Sequence, residues 1–91
     1  MTGAQRAEKR KEANTIQPIF QIGKGDIGEN LIRSVDEALE KRELIKLSVL
    51  QTAGVAPREA ADLIASSTGA EVIQCIGRKF VLYRESQKKD R

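Results

Sequence analysis

The chain has 91 residues, enough for one modest hydrophobic core and too few for two. Its net charge of +3 suits a nucleic-acid partner without requiring one. With a single cysteine (Cys75) and no histidine, it can form neither an intramolecular disulfide, nor a multi-cysteine zinc site, nor a histidine-based catalytic triad. No apolar run approaches the ~20 residues that cross a bilayer. The charged start lacks the apolar stretch of a secretory signal, so the expected compartment is the cytoplasm.

Thr2 followed by Gln5 has the spacing of a capping box and predicts a helix from Gly3 to about Ala13. Glu8, Lys9, Lys11 and Glu12 leave only alanines as its apolar contacts, so this helix is expected to be short and loosely held. Pro18 to Ile22 reads as a first strand. From about Ile27 to Arg42, Ile27, Leu31, Ile32, Val35, Ala38 and Leu39 recur at helical spacing and form one apolar stripe. Two caps are available for that second helix. Asp26 with Glu29 has the capping-box arrangement, and Gly28 is the weaker alternative.

Leu44 to Gln51 carries Ile45, Leu47 and Val49 on one face and Leu44, Ser48 and Leu50 on the other, which predicts a strand inside a sheet. After a loop from Thr52 to Ala56, Pro57 suits a first helical position, and the third helix ends near Gly69. Glu71 to Ile76 and Lys79 to Arg84 are β-rich runs joined by Gly77-Arg78, a two-residue hairpin signal. Cys75, among apolar neighbours, reads as a small core residue. The fold class is therefore α/β, a small four-stranded mixed sheet packed with three helices in the order helix, strand, helix, strand, helix, hairpin. The strand–helix–strand step implies a right-handed parallel crossover. One domain is expected over residues 1–84, followed by a charged, disordered tail over residues 85–91.

The glycine-rich turn from Gly23 to Gly28 is the main functional signal. A turn between a strand and a helix N-terminus lets backbone N–H groups approach phosphate, and Lys24 adds a mobile cation. Gly23-x-Gly25-x-x-Gly28 matches the dinucleotide fingerprint, but the ribose-binding carboxylate would have to end the second strand, where Gln51 and Thr52 stand. The nucleoside-triphosphate loop is absent, because Lys24 lacks the required spacing and a following Ser or Thr. No cofactor is expected. Nucleic-acid backbone is a second reading, since such a loop can clamp sugar-phosphate. A plain turn is the third.

Further along the chain, matches accumulate in one order. They are Thr2-Gly3 with Gln5 and Arg6; Pro18-Ile19-Phe20-Gln21-Ile22-Gly23-Lys24; Glu29-Asn30; Glu37-Ala38-Leu39; Glu43-Leu44-Ile45-Lys46; Gln74 with Ile76-Gly77; and Val81-Leu82-Tyr83-Arg84. Over about Thr2 to Arg84 the chain resembles the CRM domain (chloroplast RNA splicing and ribosome maturation) in its stand-alone bacterial, YhbY-type form. That resemblance implies a four-stranded mixed sheet with three helices, similar to the C-terminal domain of translation initiation factor three. It also implies RNA binding and association with precursors of the large ribosomal subunit. The family's GxxG loop falls on Gly23-Lys24-Gly25-Asp26, so Asp26 replaces the second glycine and either opposes phosphate or turns inward as a helix cap.

The resulting expectation is a non-enzymatic, monomeric RNA-binding protein of ribosome assembly, with ribosomal RNA as partner and no membrane or metal. The candidate RNA-binding residues are Gly23, Lys24, Gly25 and Asp26 in the loop, Arg33 one turn into the second helix, Arg6 and Arg10 in the first helix, Arg78 and Lys79 at the hairpin tip, and Arg84 at the end of the last strand. Few exposed aromatics argue against base stacking and favour electrostatic recognition by shape. The competing expectation is a module of the same fold that binds a ribosomal protein or assembly factor.

Overall fold

The structure is a computed structural model and describes residues 2–85. From residue 86 on, the expected tail lies outside the described residues. The elements are α1 (Gly3–Ala13), β1 (Phe20–Ile22), α2 (Glu29–Arg42), β2 (Leu44–Val49), a short 3-10 turn (Gln51–Ala53), α3 (Pro57–Thr68), β3 (Glu71–Ile76) and β4 (Lys79–Tyr83). They form one four-stranded sheet in the order β1-β2-β4-β3. β1 runs parallel to β2, and the other two pairings are antiparallel. β2 is thus internal, as its apolar alternation requires.

The differences from the sequence expectation are local. β1 is shortened because Pro18 has no N–H to give the ladder. α2 starts at Glu29, two residues late, because Gly28 is still extended and serves as the N-cap. The third helix stops where expected: Gly69 takes the left-handed conformation (φ 74°) that closes a helix C-terminus at least cost in glycine.

Alternation along the strands sorts the side chains into two layers. Ile22, Ile45, Leu47, Val49, Phe80 and Leu82 face α2 and α3, where they bury Val35, Leu39 and Ile64. α3 meets the sheet through Ala60, Ala61 and Ala65, whose small side chains let the helix backbone come close. Each fully buried Leu, Ile, Val or Phe in this layer contributes about 1.5–3 kcal/mol.

On the opposite face, Ala13 of α1 packs with Ile73 and Val81 in a smaller cluster edged by Leu44 and Tyr83. A register shift between Val72 and Gln74 accompanies the position of Ile73. α1 is not loosely held, contrary to expectation. Its capping box forms in full, Ala13 is completely buried, Arg6 donates to the Val72 carbonyl across the sheet edge, and the Lys9 ammonium lies 4.7 Å from the centre of the Tyr83 ring. Polar anchors replace the apolar contacts this helix lacks.

Candidate nucleic-acid interface

The glycine loop leaves the end of β1 and reaches α2 in a tight, self-closed turn. The Asp26 N–H donates to the Gly23 carbonyl (3.1 Å), and the Gly23 N–H donates to Asp26 Oδ2 (2.7 Å). The carboxylate therefore closes the loop rather than capping α2, which has no side-chain cap at all. The capping-box expectation for Asp26 and Glu29 is corrected here, because the Gly23 amide lies inside the turn and is the donor the carboxylate reaches. Gly25 holds φ 78°, which a larger residue would adopt only under strain. A side chain at Gly23 would crowd Asp26 Oδ2 at 3.2 Å and press on the contact that closes the turn. Lys24 projects between these two glycines, exposed and without an ion pair among the described residues.

The hairpin tip lies at the same end of the sheet. Leu50 N–H donates to the Ile22 carbonyl beside the loop, and Val49 N–H donates to the Arg78 carbonyl. Arg78 answers with its own side chain: Nε donates to the Val49 carbonyl (2.7 Å) and Nη2 to the Leu50 carbonyl (2.9 Å). Its guanidinium braces the end of β2 while its charge stays at the loop end. Lys79, next in sequence, is exposed and makes no ion pair among the described residues. Arg33 is likewise exposed on α2, and neither Glu29 nor Glu37 pairs with it.

Two other candidate arginines sit elsewhere and are committed to the fold. Arg84, with a side chain only 15% exposed, forms ion pairs with Asp36 and Glu40 and donates to the carbonyls of Thr68 and Asp36. It ties β4 to α2 and α3. Arg6 pairs with Glu71 besides donating to Val72. Arg10 is exposed in the last turn of α1. The structure thus brings Lys24, Arg33, Arg78 and Lys79 to the loop end and leaves Arg6, Arg10 and Arg84 away from it.

Comparison with known proteins decides the family. The family model for the CRS1 / YhbY (CRM) domain matches residues 1–84. The chain belongs to the CRM family. A Bacillus subtilis relative named "Probable RNA-binding protein YqeI" is 41% identical over 88 residues, covering 97% of this chain and 92% of that one. A Haemophilus influenzae relative named "RNA-binding protein" is 35% identical over 80 residues, covering 84% of this chain and 77% of that one. The solution structure of the hypothetical protein SAV1595 from Staphylococcus aureus superposes with a TM-score of 0.76 at 44% identity, over 98% of this chain and 93% of its own.

The candidate RNA-binding residues of this CRM domain do not include Lys46. Lys46 stands on β2 between Leu44 and Ser48, on the face turned away from the main core. The signal was present: in the alternation of β2, the second face reads Leu44, Lys46, Ser48, so it is apolar only at its start. Among the described residues, no helix is long and apolar enough to cross a membrane.

Proposed function

We propose that this protein binds RNA, with the Gly23–Asp26 loop as the primary contact, and that it acts in assembly of the large ribosomal subunit on ribosomal RNA in the cytoplasm, without catalysing a reaction. The observation that carries the reading is the loop itself. Lys24, in no ion pair among the described residues, stands between Gly23 and the left-handed Gly25, beside an α2 N-terminus whose amides have no side-chain cap. Such a terminus is a ready site for a phosphate oxygen, favoured by the helix dipole and by free N–H donors. CRM family membership and relatives named as RNA-binding proteins support the ligand class.

Binding of this kind is electrostatic and weakens steeply with salt. Lys24→Ala removes one exposed cation, so it is expected to lower the log–log salt slope for large-subunit ribosomal RNA transcribed in vitro by roughly one unit. Thermal melting should be unchanged. An unchanged slope removes Lys24 from the site, and an association with a ribosomal protein that ignores salt would favour the protein-binding module instead. Cross-linking in cells followed by sequencing of the attached RNA tests the ribosomal assignment. Reads scattered over messenger RNA would overturn it.

A further inference from the structure

α2 and α3 cover one face of the sheet, whereas α1 covers only the far end of the other. Strand register sets out what remains open. Gln21, Ser48 and Lys79 are direct partners across β1, β2 and β4 in the row nearest the loop. One pleat further, Lys46 is the partner of Val81, and Val81 of Gln74. Alternation puts both rows on the face opposite Leu47, Val49 and Phe80, which belong to the main core.

Lys46, Lys79 and Gln74 line a depression of ≈ 240 Å³. Lys79 also borders a neighbouring one of ≈ 410 Å³ with Gln21 and Ser48. No carboxylate lines either depression. Neither lysine forms an ion pair among the described residues. The two lysines are diagonal neighbours on adjacent strands, about 7–8 Å apart at Cα. Like charges this close on one face repel; the carboxylate that shares a depression with Lys46, Glu12, is paired with Lys9 instead. By contrast, the cavity at the α1 end is lined by Glu8, Glu71 and Glu85.

We infer that this open face is a second RNA contact, on which Lys46 and Lys79 hold the sugar-phosphate backbone of a strand that continues from the glycine loop. The inference rests on the RNA-binding reading of the loop. Continuity argues for it: Gln21 lies on the row, and the chain enters the loop directly after Ile22. At about 4.8 Å between strands, the path from Gln21 across β2 to Lys79 is on the order of 10 Å. No aromatic side chain lines the depression between Lys46 and Lys79; Phe20, packed against the core, borders only the neighbouring one, and Tyr83 lies under α1 against Lys9. The face therefore grips backbone without stacking bases, and sequence preference should be weak.

The test uses the full chain and polyuridylate, titrated across a salt series. Lys46→Gln with Lys79→Gln is expected to lower the salt slope by about 1.4, or ~0.7 for each lysine on a single strand. The melting temperature serves as the folding control. An unchanged slope in this variant, with a lowered slope in Lys24→Ala, overturns the sheet contact and leaves the loop standing. The converse result keeps the sheet contact and removes the loop. Ser48→Glu keeps both lysines and sets a carboxylate between Gln21 and Lys79, so it should weaken binding several-fold at low salt and decide the matter if the double variant misfolds. Undiminished binding by Ser48→Glu overturns the proposal. So does competition by polyglutamate as effective as that by polyuridylate, which would mark the face as a site for an acidic protein.

Discussion

The end of the sheet beneath α1 and the end beside the glycine loop both carry basic residues, and those that touch the sheet have opposite fates. At the α1 end three of them are spent internally, Arg84 on Asp36 and Glu40, Arg6 on Glu71, and Lys9 on Glu12 and the Tyr83 ring, while Arg10 and Lys11 stay exposed on the outer side of the helix. At the loop end and along the open sheet face, Lys24, Lys79 and Lys46 form no ion pair among the described residues, and Arg78 donates to neutral carbonyls and so keeps its charge. A ligand phosphate responds to the charge left after such pairing. A net charge of +3 is thus a poor guide to an interface, whereas its distribution after folding is a good one.

The largest effect expected from this contrast is on stability. Arg84→Met removes the largely buried cation that pairs with Asp36 and Glu40, and breaking such a pair from one side costs about 3 kcal/mol or more. The lower part of the range applies. Asp36 is half exposed, and the buried Nε of Arg84 makes no hydrogen bond, so the wild-type arrangement carries a penalty of its own. Urea unfolding measures the loss. The folded variant should bind RNA as the parent does, with the same salt slope. A lowered slope in a variant that still unfolds cooperatively would carry Arg84 into the interface and erase the contrast.

The legible parts of this fold are those whose cause is local. Thr2 and Gln5 announced the first helix, Pro57 and Gly69 bounded the third, and Gly77-Arg78 joined the hairpin, because caps and turns are decided within a few residues. The fates of the basic residues were not legible. Arg84 lies 44 residues from Glu40 in sequence and 65 separate Arg6 from Glu71, so only the assembled sheet brings them together. Asp26 is a subtler case. Its carboxylate had two sets of amides within reach, and the path of the loop chose Gly23 over the helix start.

Arg78 sharpens the comparison because it belongs to both sets, structural in its hydrogen bonds and cationic at the loop end. Arg78→Lys keeps the charge and loses the fork that reaches Val49 and Leu50 together. About 1 kcal/mol of stability should disappear, in line with the net worth of such hydrogen bonds. The salt slope for RNA should not change. A melting temperature equal to the parent's would mean the brace contributes nothing. A fall in slope would mean the guanidinium geometry itself meets phosphate.

The smallest expected effect falls on Asp26, the one carboxylate inside the loop. Its Oδ2 accepts from the Gly23 N–H, so in the free protein it stands where a ligand oxygen would otherwise compete for that donor. Asp26→Asn can keep this hydrogen bond through its amide oxygen while removing the charge. RNA affinity at low salt should rise about threefold, and the gain should fade as salt screens the site. Asp26→Gly restores the family loop and removes the charge, but it also deletes the contact that holds the turn closed. That costs about 1 kcal/mol in stability and leaves a looser loop to be ordered on binding. Asparagine should therefore bind more tightly than glycine, and both more tightly than aspartate. Equal affinities for all three at low salt would mean that phosphate does not approach the loop, and the unpaired lysines of the open sheet face would then have to account for binding without it.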